Sequence, residues 1–219
     1  VTATSEAPAL VRLRAAHVAT AIAEWFSDVR GRRVLLLLDS VTRFARALRE
    51  VGLAAGEPPA RHGYPPSVFA ELPRLLERAG ARRRGTITAI YTVLVAGGDL
   101  DEPIADEVRG LLDGHVVLDR GAAERGRFPA IDVLRSVSRV MTAVAPPAQL
   151  RMAARVRRLL ATWERQRELI TIGAYVAGAD PETDEAIARI DGVERFLSQR
   201  LDEASTVDDA LRMLEEVLA

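Results

Sequence analysis

Five consecutive apolar residues, Val34-Leu-Leu-Leu-Leu38, closed by Asp39, constrain the fold of this chain more than any other feature. The run is too short for a helix of its own and shows no polar alternation that would leave one face wet. It is predicted to be a central strand of a parallel sheet, buried on both faces. Ahead of it, Leu10, Leu13, Val18, Ile22 and Trp25 fall at roughly helical spacing between Pro8 and Val29, which predicts one amphipathic helix.

Downstream the pattern alternates. A helix is expected from about 41 to 51. A loop rich in Gly and Pro follows, from Gly56-Glu-Pro-Pro59 to Gly63-Tyr-Pro-Pro66, and then a helix over 67–79. Thr86 to Val95 is a second β-rich run, Pro103 to Leu112 a helix, and Val116 to Leu118 a third strand candidate. Strands alternating with helices predict an α/β domain whose ligand edge lies where the strands end. At Ala145-Pro-Pro147 the pattern turns wholly helical, with breaks expected near Gly173, Gly178-Ala-Asp-Pro181 and Asp191-Gly192. Thr206 followed by Asp209 reads as a capping-box start for the last helix. A domain boundary is therefore placed near Pro146, giving domains 1–145 and 146–219.

The chain has no Cys, so disulfides, thiolate metal sites and cysteine nucleophiles are excluded. His17, His62 and His115 are too scattered for a metal-ligand pattern and read as structural. All 30 basic residues are Arg, set against 31 acidic ones. That balance argues against binding nucleic acid by bulk phosphate neutralisation, although a local basic patch stays compatible with it. No apolar run approaches the roughly 20 residues of a membrane span. The start, Val1-Thr-Ala-Thr4, has neither an initiator Met nor a charged leader, so the chain is expected to be an excised segment.

The chemistry concentrates at the end of the apolar run. A carboxylate at the tip of such a strand can hold the magnesium of Mg-ATP through water, because a hard cation prefers oxygen ligands. Asp39 can equally serve to cap the next helix. The surrounding text is more specific: Leu35-Leu-Leu-Leu-Asp-Ser-Val-Thr-Arg-Phe-Ala-Arg46, Gly63-Tyr-Pro-Pro-Ser-Val-Phe69, Gly85-Thr-Ile-Thr-Ala-Ile-Tyr-Thr-Val-Leu-Val95 and Asp101-Glu-Pro-Ile-Ala-Asp106. Together with Leu112-Asp-Gly-His-Val-Val-Leu118 and Phe128-Pro-Ala-Ile-Asp-Val-Leu-Arg-Ser-Val-Ser-Arg139, these linked motifs cover nearly the whole chain. They resemble the ATPases of bacterial type III secretion and flagellar export, relatives of the catalytic subunits of rotary ATP synthases.

The resemblance implies a RecA-like P-loop ATPase core, here partial, with a C-terminal all-α domain. It implies a homohexameric motor that hydrolyses Mg-ATP, releases and unfolds chaperone-bound export substrates, and works with a central stalk and a stator or regulator protein. The expected location is the cytoplasmic side of the bacterial inner membrane, peripheral to the export apparatus, with no nucleic-acid partner. It assigns Asp39 to the magnesium, Arg43 to the phosphate side, Phe128 to the adenine, and Arg139 to a neighbouring subunit's site as an arginine finger. Without it, Phe128 reads as core, Arg43 as half of an ordinary ion pair and Arg139 as a surface or salt-bridging residue. Asp180, Glu182, Asp184 and Glu185 match an acidic tip that meets the stalk, but acidic residues at a helix start are also ordinary caps.

No Gly-x-x-x-x-Gly-Lys-Ser/Thr loop occurs, and without Lys none can. That loop supplies the N–H cradle and the Lys for the β and γ phosphates, so the chain alone is expected to lack ATPase activity. Two other readings stay open. One is a Rho-type, RNA-dependent hexameric ATPase, which shares the Asp-Ser-x-Thr-Arg strand end and the Phe-Pro-Ala-Ile-Asp segment. The other is a non-catalytic module that docks a chaperone, stalk or stator protein.

Overall fold

A computed structural model describes all residues 1–219. The chain forms two compact units, Val1–Leu112 and Asp113–Ala219.

In the first unit, helix α1 (Ala9–Asp28) leads into strand β1 (Arg33–Leu38), helix α2 (Val41–Ala54), a single turn at Arg61–Gly63 and helix α3 (Pro66–Leu76). The two-residue strand β2 (Gly80–Ala81), strand β3 (Thr86–Tyr91), a turn at Ala96–Gly98 and helix α4 (Pro103–Leu111) complete it. The sheet order is β1-β3-β2, with β1 and β3 parallel and in register from Arg33↔Thr86 to Leu38↔Tyr91. The core lies on the helical side, where Val41, Phe44, Val68, Leu72, Leu75 and Ile104 are all at most 4 % exposed. Gly85 is required where the chain enters β3: a Cβ there would sit 2.3 Å from the Arg32 carbonyl oxygen.

Two expectations about this unit are corrected. β1 is parallel, but it lies at the sheet edge and only one of its faces is covered. Leu36 packs against Ala23 and Ile87, whereas Leu35 and Leu37 are 60 % and 65 % exposed. Helix α1 is amphipathic in the opposite sense to its expected face. Small residues, Ala9, Thr20, Ala23 and Ser27, join Leu13 on the buried face, while Leu10, Val18, Ile22 and Trp25 face outward. Small side chains let the helix lie close against its neighbours, and helix spacing follows the side chains at the contact.

The second unit contains strand β4 (Gly114–Leu118), the short helix α5 (Arg120–Glu124), strand β5 (Ile131–Ser138), a helical turn α6 (Met141–Val144) and helices α7 (Pro147–Thr171), α8 (Pro181–Phe196) and α9 (Val207–Leu218). The expected strand at 116–118 exists, but it does not extend the parallel sheet. β4 pairs antiparallel with β5 in a separate two-stranded sheet. β5 places Val133 and Leu134 against the helical cluster of Val156, Leu159, Ile190 and Leu214. This packing groups the β4–β5 pair with the helices.

The break expected at Asp191-Gly192 does not occur, and α8 runs through both residues. Gly192 lies beside α9, with Val217 3.6 Å from where its Cβ would be, and tertiary packing outweighs its poor helix propensity. The capping box at Thr206 and Asp209 is formed in full.

Candidate functional site

The turn after β1 is built by hydrogen bonds that join the ends of the two parallel strands. The Thr92 amide donates to the Leu38 carbonyl at 3.1 Å, and the Val41 amide donates to the Thr92 carbonyl at 2.9 Å. Thr42, buried in α2, accepts from the Leu94 amide at 2.8 Å and donates to the Leu94 carbonyl at 3.3 Å. Ser40, also buried, caps α2 by accepting from the Arg43 amide at 3.3 Å.

With its neighbours fixed on both sides, Asp39 presents an exposed carboxylate at the carboxyl end of the sheet. The Asp39–Ser40 peptide is cis, which no residue pattern announces, since cis bonds are otherwise almost confined to X–Pro. The cap of α2 is Ser40 rather than Asp39, so the carboxylate is not used in capping.

Arg43 and Arg46 are three apart on the first turns of α2, a spacing that puts them on one face, and both are exposed and form no ion pair. Asp39, Ser40, Arg43, Arg46 and Arg12 line one cavity of about 470 Å³, in which Asp39 is the single carboxylate. Arg12 is neutralised by Glu50 at 2.5 Å. Arg46 escaped the sequence reading, although its i+3 relation to Arg43 was the signal that could have found it. No group of three His, Cys, Asp or Glu side chains is placed to hold a metal ion by itself.

Phe128 and Arg139 belong to the second unit and flank β5. Phe128 is 54 % exposed, its peptide to Pro129 is cis, and its carbonyl accepts from the Gln199 amide at 2.7 Å. Arg139 is exposed, and its amide donates to the Asp113 carbonyl at 2.7 Å. Arg157 braces the strand by donating to the Ser136 carbonyl at 2.8 Å. The register sets Ser138 against Gly114 and Ile131 against Leu118 across a bulge, so the two ends of β5 lie about 14 Å apart at the rise of an antiparallel strand.

The acidic tip is largely engaged within the chain. Asp180 caps α8, accepting from the Glu182 and Thr183 amides and the Thr183 hydroxyl, and this holds its carboxyl below the usual carboxylate range. Asp184 accepts from the Tyr175 hydroxyl and the Gly178 amide, each at 2.9 Å. Glu185 accepts from Arg155 at 2.5 Å, which likewise depresses its pKa. Glu182 is exposed and its side chain makes no contact of this kind.

The three histidines lie in different places. His17 packs edge-on to Phe44, His62 sits in a tight loop at positive φ, and the His115 ring is 3.0 Å from the Arg135 carbonyl.

Residues 1–138 match the ATP synthase alpha/beta family, nucleotide-binding domain, and residues 145–216 match the T3SS EscN ATPase C-terminal domain. The chain belongs to the ATP synthase alpha/beta family. Among its relatives are a flagellum-specific ATP synthase of Bacillus subtilis and a type 3 secretion system ATPase of Xanthomonas euvesicatoria, each 55 % identical. The alignments cover 98 % and 99 % of this chain and 49 % of each relative, so the chain spans about half the length of the curated relatives it matches.

Among solved structures, the assembled ATPase EscN of enteropathogenic E. coli superposes with a TM-score of 0.96 at 51 % identity, over 99 % of this chain and 52 % of that one. EscN in complex with its central stalk EscO gives a TM-score of 0.91. The fold is thus that of a RecA-like ATPase core followed by a helical domain, as the motifs imply.

Proposed function

We propose that this chain is the second half of the catalytic core and the C-terminal helical domain of a ring-forming ATPase that energises type III export, in an injectisome or a flagellum. The observation that carries the reading is the turn after β1, where Asp39 and Arg43 line one cavity at the carboxyl end of a parallel strand pair. The match of 145–216 to the secretion ATPases' own C-terminal domain favours this over a Rho-type RNA-dependent motor. The nucleotide-binding portion then covers 1–145 and the helical domain 146–219.

The residues present fit a magnesium ion held mainly by phosphate oxygens and water, since the cavity offers one carboxylate and no protein cage. When bound, the ion neutralises charge on the β and γ phosphates. Asp39 orients its water shell, and Arg43 faces the same cavity as a cation. Phe128, with its ring exposed, offers a face to the adenine of its own subunit's nucleotide. Arg139, exposed at the end of β5, reaches the neighbour's nucleotide, where its fixed guanidinium fork stabilises charge on the transferring phosphoryl group.

Because three of the four acidic residues at the α8 tip are engaged internally, stalk contact falls to Glu182 and the surrounding loop. Substrate release from chaperones, contact with a stator and location at the inner membrane belong to the same proposal. The chain alone turns over no ATP at the parent's rate, because the Gly-rich loop and its Lys are not in it.

The test is made in the parent enzyme. Arg139→Ala is expected to lower kcat by about a thousandfold or more while nucleotide binding is retained, the range seen for arginine fingers. Mixing it with an excess of wild-type subunits should restore part of the activity through mixed rings. A variant that loses binding and turnover together, or that is not rescued in mixed rings, would show Arg139 to be structural. Phosphate release by the 219-residue chain alone, abolished by Asp39→Ala, would overturn the reading that it is inactive.

A further inference from the structure

Arg139 follows the last residue of β5, and the strand leading to it is not held by regular pairing. Between the pairs Val117↔Asp132 and His115↔Val137, residues 133–136 of β5 face the single residue Val116 of β4. A bulge of this kind bends the strand and leaves backbone groups without ladder partners. Here the Val117 amide donates to the Ser136 hydroxyl at 2.9 Å, and that hydroxyl donates to the Asp132 carbonyl at 2.5 Å.

Helix α7 supplies a further partner. The Arg157 Nη2 donates to the Ser136 carbonyl at 2.8 Å and to the Leu134 carbonyl at 3.4 Å. Both carbonyls lie within the bulge, and Ser136 is three residues ahead of Arg139. Two positions earlier on the helix, Arg155 pairs with Glu185, whereas Arg157 turns its donors to the strand. Apolar packing acts in the same direction, because Val133 and Leu134 sit against the cluster that holds Val156, Leu159 and Leu160 of α7.

The segment before Arg139 is thus seated on α7, while the Arg139 amide is tied to the Asp113 carbonyl at the start of β4.

We infer that Arg157 is a positioning residue for Arg139, through which the helical domain sets how far that guanidinium reaches into the neighbouring subunit's site. The inference rests on the reading of Arg139 as an arginine finger. Arg157 acts on the finger through the carbonyls of Leu134 and Ser136, which keep the bulged strand on the helix. Such placement matters because a shift of about 1 Å in a group that meets the transition state can cost about a hundredfold in rate. A finger makes its contact as charge develops on the transferring phosphoryl group, so misplacing it lowers kcat and spares substrate binding.

In the full-length parent, Arg157→Ala is expected to lower kcat about 10- to 100-fold, with KM for Mg-ATP within about twofold of wild type. Arg157→Lys keeps a cationic donor with several hydrogens on a long stem and should retain most of the rate. Mixed rings separate an action on the neighbour from damage within the subunit. Asp39→Ala subunits have an inactive site and an intact finger, and Arg157→Ala subunits the reverse. Mixed together, the two slow variants should turn over ATP faster than either alone, because the working site of one meets the working finger of the other.

A wild-type kcat for Arg157→Ala, a loss carried by KM, or no gain in the mixed rings would each overturn the inference. A lowered unfolding midpoint with equal loss of rate in the Ala and Lys variants would make Arg157 structural and overturn it too. Rings of Asp39→Ala with Arg139→Ala are the reference. If these gain activity and those with Arg157→Ala do not, the positioning role falls while the finger reading stands; if neither gains, the finger reading falls with it.

Discussion

At the scale of single residues, the site owes its shape to side chains that do no chemistry. Thr42 is the clearest. Its hydroxyl satisfies both backbone groups of Leu94 and so pins the start of α2 to the segment that leaves β3. Thr42→Val keeps the volume but removes both hydrogen bonds to the Leu94 backbone, which costs about 1 kcal/mol. Urea unfolding of the chain should show a midpoint lowered accordingly, and an unchanged midpoint would mean that water or a shifted backbone replaces the hydroxyl. Ser40 acts in the same way on a smaller scale, as the cap that leaves the Asp39 carboxylate unused. Phe128 and Arg139 show the converse. Their side chains are exposed while their backbones are tied to Gln199 and Asp113, so the frame is rigid where the functional atoms are accessible.

At the scale of elements, faces and partners matter more than helix and strand boundaries. Helix α1 buries a face of mostly small residues and turns its large apolar residues outward, and β1 covers only one of its two apolar faces. Periodicity locates such elements but does not say which stripe meets the core when two stripes are available. β5 does not alternate, because Leu134 packs inward beside Val133 and Arg135 is exposed across a bulge, so periodicity does not announce it. Gly192 offers a test of helix α8. It lies inside the helix, and a methyl group there would meet Val217 at ordinary contact distance. Gly192→Ala is therefore expected to stabilise the second unit by about 1 kcal/mol, read as a higher unfolding midpoint. A lower midpoint would show that α8 and α9 pack more tightly than a methyl group allows.

At the scale of the whole molecule, acid sensitivity is built into both units. Glu24 is held below its ordinary pKa by the hydrogen bonds from Arg78, Asp119 by the Ala122 and Gly121 amides, and Asp180 chiefly by the Thr183 hydroxyl. A carboxyl depressed in the folded state stabilises fully above its unfolded pKa, about 4, and loses that contribution as pH falls through the lower folded value. The urea midpoint should thus be flat from pH 7 to about pH 5 and fall steeply below about pH 4. Glu24→Gln should make the acid limb shallower; a limb of the same slope would exclude Glu24 from it. The sequence by itself determined the alternation of strand and helix, the Asp39 turn, the helical tail and the family, because local periodicity and linked motifs are properties of neighbouring residues. Only the tertiary structure decided the antiparallel β4–β5 pair, the outward face of α1, the continuous α8, the internal use of Asp180, Asp184 and Glu185, and the bond from Arg157 to β5. Each of these depends on which distant segments meet, and burial and hydrogen bonding between such segments are not written into the spacing of either one.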